Sequence, residues 1–288
     1  MTDDRPLLSI VIANYNYGKF LETAIQSVLC QSCQDFELIV IDGGSSDNSV
    51  EVIKRHAARI SYWISEKDHG QSDAFNKGFR KAHGRFLTWL NADDILLPNA
   101  VQGLKDAVAK YPKQEWFACG SVHFDPELKI ILCARTRRFS EYEASHGTIC
   151  VYSPSTFFTK ELFDRAGGMD EFFHFKMDTD LWGRFYLREN VRFQVIPGYA
   201  FGFRYHDGSK TTCVHFADTR SAEKIQRDKA QGDAENARIR AMFGNPRTMS
   251  RLGRMVRMDW WAKLGSLIDT LRFRGKHLKE WSIYAGSV

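Results

Sequence analysis

Leu7 to Leu29, "LLSIVIANYNYGKFLETAIQSVL", carries two periodicities in succession. Leu7 to Ala13 is a near-continuous apolar run, the pattern of a strand buried on both faces. Phe20, Leu21, Ala24, Ile25, Val28 and Leu29 then recur at helical spacing, so the strand feeds an amphipathic helix. The alternation returns as Phe36 to Ile41 followed by Val50, Ile53 and Ala57, and as Ile60 to Ile64 followed by Ala74, Phe75, Phe79 and Ala82. A further unit runs from Arg85 to Leu90 and resumes as a helix opening at Pro98, with Val101, Leu104 and Val108 on one face. Four such units in about 110 residues predict an α/β domain with a mostly parallel central sheet flanked by helices.

In sheets of this kind ligands gather at the carboxyl ends of the strands. The segments leaving the four strands, 14–17, 42–47, 66–70 and 91–94, are therefore expected around one crevice. Three of them bring carboxylates, which repel one another unless a cation or a donor-rich ligand sits among them. The stretch "FLTWLNADDILLPN", Phe86 to Asn99, sets Asp93 and Asp94 side by side where a buried strand ends. Such a pair is solvated at the turn, caps the helix that opens at Pro98, or holds a hard divalent cation through oxygen ligands, Mg²⁺ or Mn²⁺. Asp42, at another strand end, suits acceptance of hydrogen bonds from a nucleobase N–H or a ribose hydroxyl. Neither the P-loop pattern nor G-x-G-x-x-G occurs, so P-loop and dinucleotide folds lose support.

The second half is less regular. Trp116 to Cys119 and Ile130 to Cys133 read as strands, "VYSPSTFFTKELFDRAGGMDEFF" as a strand, a short helix and a Gly-Gly turn, and "MDTDLWGRFYLREN" as a helix. From about Ser221 the chain turns helical and basic. Nine Lys and Arg face two Asp between Arg247 and Lys279, so the net charge of +5 belongs to the tail and the remainder is slightly acidic. Charge placed this way, with no reading motif, argues against a nucleic-acid partner. Six cysteines at irregular spacing fit a reducing compartment, and the start "MTDDRPLLSI" lacks the basic opening and apolar centre of a secretion signal. A cytoplasmic protein is expected. Cys30 and Cys33 form a C-x-x-C, but at the end of a helix and with no second such pair, so they are read as plain thiols.

Four segments, "LSIVIANYNYGKFLETAIQSVLCQSCQDFELIVIDGGSSDNS", "SEKDHGQSDAFNKGFRKAHGRFLTWLNADDIL", "GGMDEFFHFKMDTDLWGRF" and "FRYHDGSKTT", resemble family 2 of the inverting glycosyltransferases of GT-A fold, from about Leu7 to Thr212. The resemblance implies a catalytic domain over 1–215, with a nucleotide-sugar half to about 110 and an acceptor half beyond it, and a basic helical extension over 216–288. It implies that Ala13, Asn14, Tyr15, Asp42, Asp68 and Asp93 bind the nucleotide, with Asp93 at the ribose. Asp94 and His206 attend the Mn²⁺ or Mg²⁺ that binds the diphosphate, and Asp178 is the catalytic base. Ser155, Trp182, Asp180 and Lys210 fall on the acceptor or diphosphate side. Asp178 and Asp180, at i and i+2, do not share a helix face, so Asp180 is also read as a support for Arg184. The chain departs from the family at Asn91 and Gly43, where Asp is frequent, and at Met177, where Glu often precedes the base.

The function implied is transfer of a sugar from a UDP, dTDP or GDP donor to a hydroxyl of a glycan or lipid-linked glycan, in bacterial surface polysaccharide synthesis. The rival readings are a sugar nucleotidyltransferase and an inactive sugar-nucleotide-binding scaffold. In the tail, Leu252, Val256, Trp260, Leu264, Leu267 and Leu271 recur at near-helical spacing among Arg251, Arg254, Arg257 and Lys263. Such a helix suits peripheral contact with the inner face of an anionic membrane, a second subunit in a homo-oligomer, or the catalytic domain itself.

Overall fold

The computed structural model describes residues 4–145, 149, 151, 155–209, 221–243 and 260–278. The first half follows the expected alternation: β1 (Leu8–Asn14), α1 (Gly18–Leu29), β2 (Phe36–Asp42), α2 (Ser49–His56), β3 (Tyr62–Ser65), α3 (Gln71–Lys81) and β4 (Phe86–Asn91). A two-residue strand, β5 (Ile95–Leu96), precedes α4 (Ala100–Lys110). The second half holds β6 (Trp116–Phe124), β7 (Ile130–Ala134), α5 (Glu141–Ser145), β8 (Thr156–Thr159), α6 (Lys160–Arg165), α7 (Met177–Gly183) and β9 (Gln194–Arg204). The helices α8 (Ala222–Phe243) and α9 (Trp260–Phe273) follow.

One nine-stranded sheet runs through both halves in the order β3-β2-β1-β4-β8-β6-β9-β5, with β7 on β6. Its first part is parallel, β1 lying between β2 and β4 with Asn14 opposite Asp42 and Ala13 opposite Asn91. That register brings the carboxyl ends of three strands to one edge. Beyond β4 the sheet is mixed: β8 is antiparallel to β4 and β6, whereas β6 and β9 run parallel. The mostly parallel sheet expected from the sequence therefore holds for the first half alone, and the two expected halves share β-structure, since β5 pairs with β9.

Two apolar layers cover the sheet. Leu21, Ile25 and Val28 of α1, Val52 and Ile53 of α2 and Val101 and Leu104 of α4 bury against one face. Phe75 and Phe79 of α3, Leu162 of α6 and Leu181 and Trp182 of α7 bury against the other. The Trp182 ring stacks between Trp89 of β4 and Trp116 of β6, at 5.3 and 5.2 Å. Each such buried ring contributes about 2–3 kcal/mol by apolar burial, so this triple stack anchors α7 to the sheet.

Helix α9 packs on β7. Arg135 Nε donates to Asp269 Oδ2 at 2.8 Å and the Cys133 backbone N–H to Thr270 Oγ1 at 3.0 Å, so α9 meets β7 with a polar face. Phe273, at its end, buries among Val122, Phe124, Ile130 and Cys133, whereas Leu264, Leu267, Ile268 and Leu271 point away and are 47–71% exposed. Leu252, Val256, Arg251, Arg254 and Arg257 of the expected stripe lie outside the described residues, as does the side chain of Trp260. Cys30, Cys33, Cys119 and Cys133 are free thiols. Among the described residues no helix is long and apolar enough to cross a membrane.

Candidate active site

The floor of the crevice is made by strand ends. Asn14 Nδ2 donates to Asp42 Oδ1 at 2.6 Å. Asp42 also accepts from the Ser45 N–H and Oγ, at 3.0 and 2.5 Å, and from Ser65 Oγ at 2.6 Å. Its carboxylate is fully buried and both oxygens are taken. Asp42 thus braces the 43–47 loop, which corrects the expectation that it touches the nucleotide base directly. Above it, Ala13 is half-buried and Tyr15 is 60% exposed at the rim.

Asp68 lies over the same loop. A side-chain carbon placed on Gly43 would stand 2.5 Å from Asp68 Oδ2, well inside contact distance. The space that a residue-43 carboxylate would fill is thus occupied by the Asp68 carboxylate, arriving from the turn after β3. The departure at Gly43 and the acid at 68 are one feature. Asp68 Oδ1 accepts the Gly70 N–H at 2.9 Å, which fixes the turn into α3.

The turn after β4 holds the second group of charges. Asp94 is 1% exposed, accepting the Arg204 backbone N–H at 3.0 Å and Asn91 Nδ2 at 2.8 Å. Burial, and next the charge of Asp93, push its carboxyl well above the usual carboxylate range, and the bonds from Arg204 and Asn91 only partly offset this. His206 Nε2 lies 3.0 Å from Asp93 Oδ2, and the His206 ring packs on Phe20 and Tyr17. Burial and the same two aspartates push the Tyr17 phenol up; its hydroxyl donates to the Gly208 carbonyl at 2.8 Å. The sequence reading missed Arg204. Its Nε donates to the Asp93 carbonyl at 2.8 Å, and its guanidinium sits over the Phe20 and Phe124 rings. An arginine two residues before a histidine at a strand end carries no periodic signal that separates it from a surface residue.

A buried carboxyl beside a second carboxylate is a site that gains from an added cation. Asp93 Oδ2 meets His206 Nε2, and the buried Asp94 carboxylate feels the Asp93 charge; oxygen-rich donors with one nitrogen are the kind that Mn²⁺ or Mg²⁺ takes. Among the described residues, the trio whose ligand atoms all lie within 4.8 Å of one another is a different one, His69, Asp73 and Glu171. There, however, the Lys77 ammonium lies 3.3 Å from the buried Asp73 carboxylate and already supplies its positive charge.

Asp178 occupies the first turn of α7, half-buried, with Oδ1 accepting the Thr179 N–H at 2.6 Å. The start of α3 joins it to the Asp94 turn. Gln71 Nε2 donates to Asn91 Oδ1 at 2.6 Å, and the adjacent Ser72 Oγ donates to the Phe173 carbonyl at 3.0 Å and lies 3.4 Å from Met177 Sδ. Asn91 is thereby a linker between Gln71 and Asp94. Asp180 is fully buried and paired with Arg184 at 2.6 Å, and the guanidinium also donates to the Ala166 and Gly168 carbonyls. It faces away from the crevice. Two acceptor-side expectations are likewise corrected: Trp182 is fully buried in the tryptophan stack, and Ser155 is fully buried with its carbonyl accepting the Cys119 N–H. Apolar packing in the core claims Trp182, and strand pairing fixes the Ser155 backbone, whose buried hydroxyl meets no hydrogen-bond partner among the described residues. Lys210 lies outside the described residues.

Residues 9–177 match the model of glycosyl transferase family 2. An uncharacterized glycosyltransferase of Rickettsia prowazekii is 26% identical over 195 residues, 65% of this chain and 61% of its own length. Another, of Nostoc, is 41% identical over 98 residues, 33% of this chain and 30% of its own. The chain thus spans less than two thirds of these relatives. Among solved structures, Staphylococcus aureus TarS 1-349 in complex with UDP-GlcNAc superposes with a TM-score of 0.57 at 14% identity, covering 93% of this chain and 81% of that one. The mannosyltransferase PcManGT of Pyrobaculum calidifontis, in complex with GDP-Man and Mn²⁺, gives 0.54 at 18% identity, covering 94% and 75%. At such identities the likeness is one of fold, a GT-A-like sheet flanked by helices.

Proposed function

The chain belongs to glycosyl transferase family 2, and from that premise we propose that it moves one sugar from a nucleoside diphosphate donor to an acceptor hydroxyl by single displacement, with inversion at the anomeric carbon. The observation that carries the reading is the contact between Asp93, after β4, and His206, after β9, beside the buried Asp94, tied through Asn91, Gln71 and Ser72 to the loop that presents Asp178. Asp94 and His206 would hold a divalent cation, with Asp93, in contact with His206, reaching the ribose. The cation, when bound, offsets negative charge developing on the leaving diphosphate.

The remaining chemistry belongs to the side chains. Asp178 accepts the proton of the acceptor hydroxyl as that oxygen attacks the anomeric carbon from the face opposite the diphosphate. Its negative charge also opposes the positive charge that accumulates on the sugar ring at the transition state. Asp68, at the space beside Gly43, accepts from the nucleobase, while Asn14 and Asp42 hold the loop that shapes the pocket. The acceptor is a glycan or lipid-linked glycan of a bacterial surface polymer. Contact with an anionic membrane by the outward Leu264, Leu267, Ile268 and Leu271 of α9, flanked by exposed Lys263, Arg272 and Arg274, supports that placement. A thermal-shift panel of UDP, GDP, dTDP and CMP with and without Mn²⁺ tests the donor reading. A metal-dependent rise with one diphosphate is expected; no rise with any of them overturns it.

A further inference from the structure

Helix α8 is solvent-exposed along most of its length, and among its described side chains the buried ones are Glu235 and Ile239, one turn apart. Ile239 enters the apolar layer around Trp182. A buried glutamate is the anomaly, because an ion removed from water is costly unless donors replace the water. Its donors are backbone groups. Glu235 Oε1 accepts the His174 N–H at 2.7 Å and the Phe175 N–H at 3.3 Å, and Oε2 accepts the Phe175 and Lys176 N–H groups at 3.1 and 3.0 Å. Gln231, one turn earlier, adds a bond to Glu235 Oε1 at 2.8 Å and one to the Phe172 carbonyl at 3.2 Å. Arg238, on the next turn, pairs with Asp170 at 2.6 Å and covers the Phe172 ring.

These N–H groups belong to the three residues immediately before Met177 and Asp178, and Lys176 caps α7. Helix N-terminal N–H groups have no partner within the helix, and an unsatisfied loop leading into one is free to rotate. From the opposite side the same loop is held by the Ser72 bond to the Phe173 carbonyl. We propose that Glu235 is the positioning residue of the catalytic base: its carboxylate grips the 174–176 backbone and fixes the direction in which Asp178 leaves the loop. Helix α8 is then part of the catalytic centre rather than an appendage. The inference rests on Asp178 being the base. A glutamate on the buried side of a helix reads as a surface residue in sequence, which is why periodicity passes over it.

The test uses the full chain and three variants, Glu235→Ala, Glu235→Gln and Ile239→Ala. Amide exchange at His174, Phe175 and Lys176 is measured first, without substrate. Protection is expected to fall in Glu235→Ala, to fall less in Glu235→Gln, which keeps one accepting oxygen, and to persist in Ile239→Ala. Turnover is then followed as diphosphate release from UDP-N-acetylglucosamine or GDP-mannose, whichever the wild type uses. A base displaced by about 1 Å costs on the order of 100-fold in rate. The expected pattern is therefore a kcat lower by about that factor in Glu235→Ala, with KM for the donor within about twofold, and partial recovery in Glu235→Gln. Ile239→Ala lowers the melting temperature and leaves kcat at 20 °C below its melting point within about twofold, which separates positioning from simple loss of stability. Retained protection at 174–176 in Glu235→Ala overturns the proposal, as does lost protection with unchanged kcat, or a change confined to KM. Failure of the base assignment is seen separately, as undiminished turnover in Asp178→Asn, and the exchange measurement reads the grip of Glu235 in either case.

Discussion

His206 Nε2 stands 3.0 Å from Asp93 Oδ2, joining the exit of β9 to the exit of β4 across 113 residues of chain. The contact makes the proposed metal corner a tertiary product: neither strand end brings these donors together alone. With Mn²⁺ and a bound diphosphate at about 100 times their apparent dissociation constant, the wild type should gain about 2.7 kcal/mol, seen as a raised melting temperature. His206→Ala should lose most of that shift while its metal-free melting temperature stays close to the wild-type value.

Asp94 predicts a stability profile of definite sign. Its folded carboxyl titrates above the ordinary range, mainly through burial and then through Asp93. Below about pH 4 both folded and unfolded chains keep this proton; as pH rises the unfolded chain releases it first, so the native state binds more protons and stability declines until the raised value is passed. In EDTA the melting temperature of the wild type should fall over this interval relative to Asp94→Asn. Around pH 8 the asparagine variant should be the more stable of the two and should show no Mn²⁺ response. Metal binding to the wild type should release protons, measurable as a buffer-dependent enthalpy.

Asp178 and Asp180 should separate chemistry from architecture. Asp178→Asn removes a half-buried carboxylate from the crevice and should lower kcat by about 10²–10⁴-fold with the fold intact. Asp180→Asn breaks a fully buried pair with Arg184 and should destabilise by about 3 kcal/mol, with kcat largely retained well below the melting temperature. Circular dichroism melts and initial rates on the same preparations check both outcomes. Equal loss of activity in the two variants would count against the division of roles.

How far the sequence reveals this molecule follows from which forces are local. The β1-α1 pattern and its three repeats are legible because apolar periodicity within one segment already encodes strand, helix and buried face. The 194–204 strand is not, because Pro197 and Gly198 interrupt it and its pairing with β6 shifts register near Gly120. The crevice is legible where acids end strands, as at Asp42, Asp93 and Asp94. It is illegible where side chains trade roles across the fold. Asp42 looks like a ligand-reading carboxylate, yet Ser45, Ser65 and Asn14 consume it. Trp182 looks like a sugar platform, yet two tryptophans from distant strands enclose it.

The Gly43 and Asp68 relationship predicts compensation. Gly43→Asp alone forces a second carboxylate against Asp68 Oδ2 and should weaken the thermal shift given by the preferred nucleoside diphosphate. Asp68→Asn alone removes the charge proposed to meet the base and should weaken it too. The double variant restores one carboxylate at nearly the same place and should recover much of the shift, a coupling that a double-mutant cycle measures. Strictly additive losses would mean that the two positions do not share one task.

Helix α9 meets β7 through Asp269, Thr270 and Phe273 and turns Leu264, Leu267, Ile268 and Leu271 to solvent, whereas an ordinary surface helix turns its apolar stripe to the core. An outward apolar stripe bordered by Lys263, Arg272 and Arg274 matches the chemistry of an anionic bilayer, where acyl chains take the leucines and headgroups the cations. The protein should therefore sediment with vesicles containing phosphatidylglycerol and not with pure phosphatidylcholine, and the bound fraction should fall as salt rises from 50 to 500 mM. Leu267→Glu combined with Leu271→Glu should abolish sedimentation while leaving turnover on a soluble acceptor unchanged, because α9 touches β7 through Asp269, Thr270 and Phe273 instead. If the double variant still sediments, the stripe is not the contact. If instead the wild type ignores vesicles and runs as a dimer that the double variant dissolves, a second copy of the chain covers these leucines and the membrane placement fails.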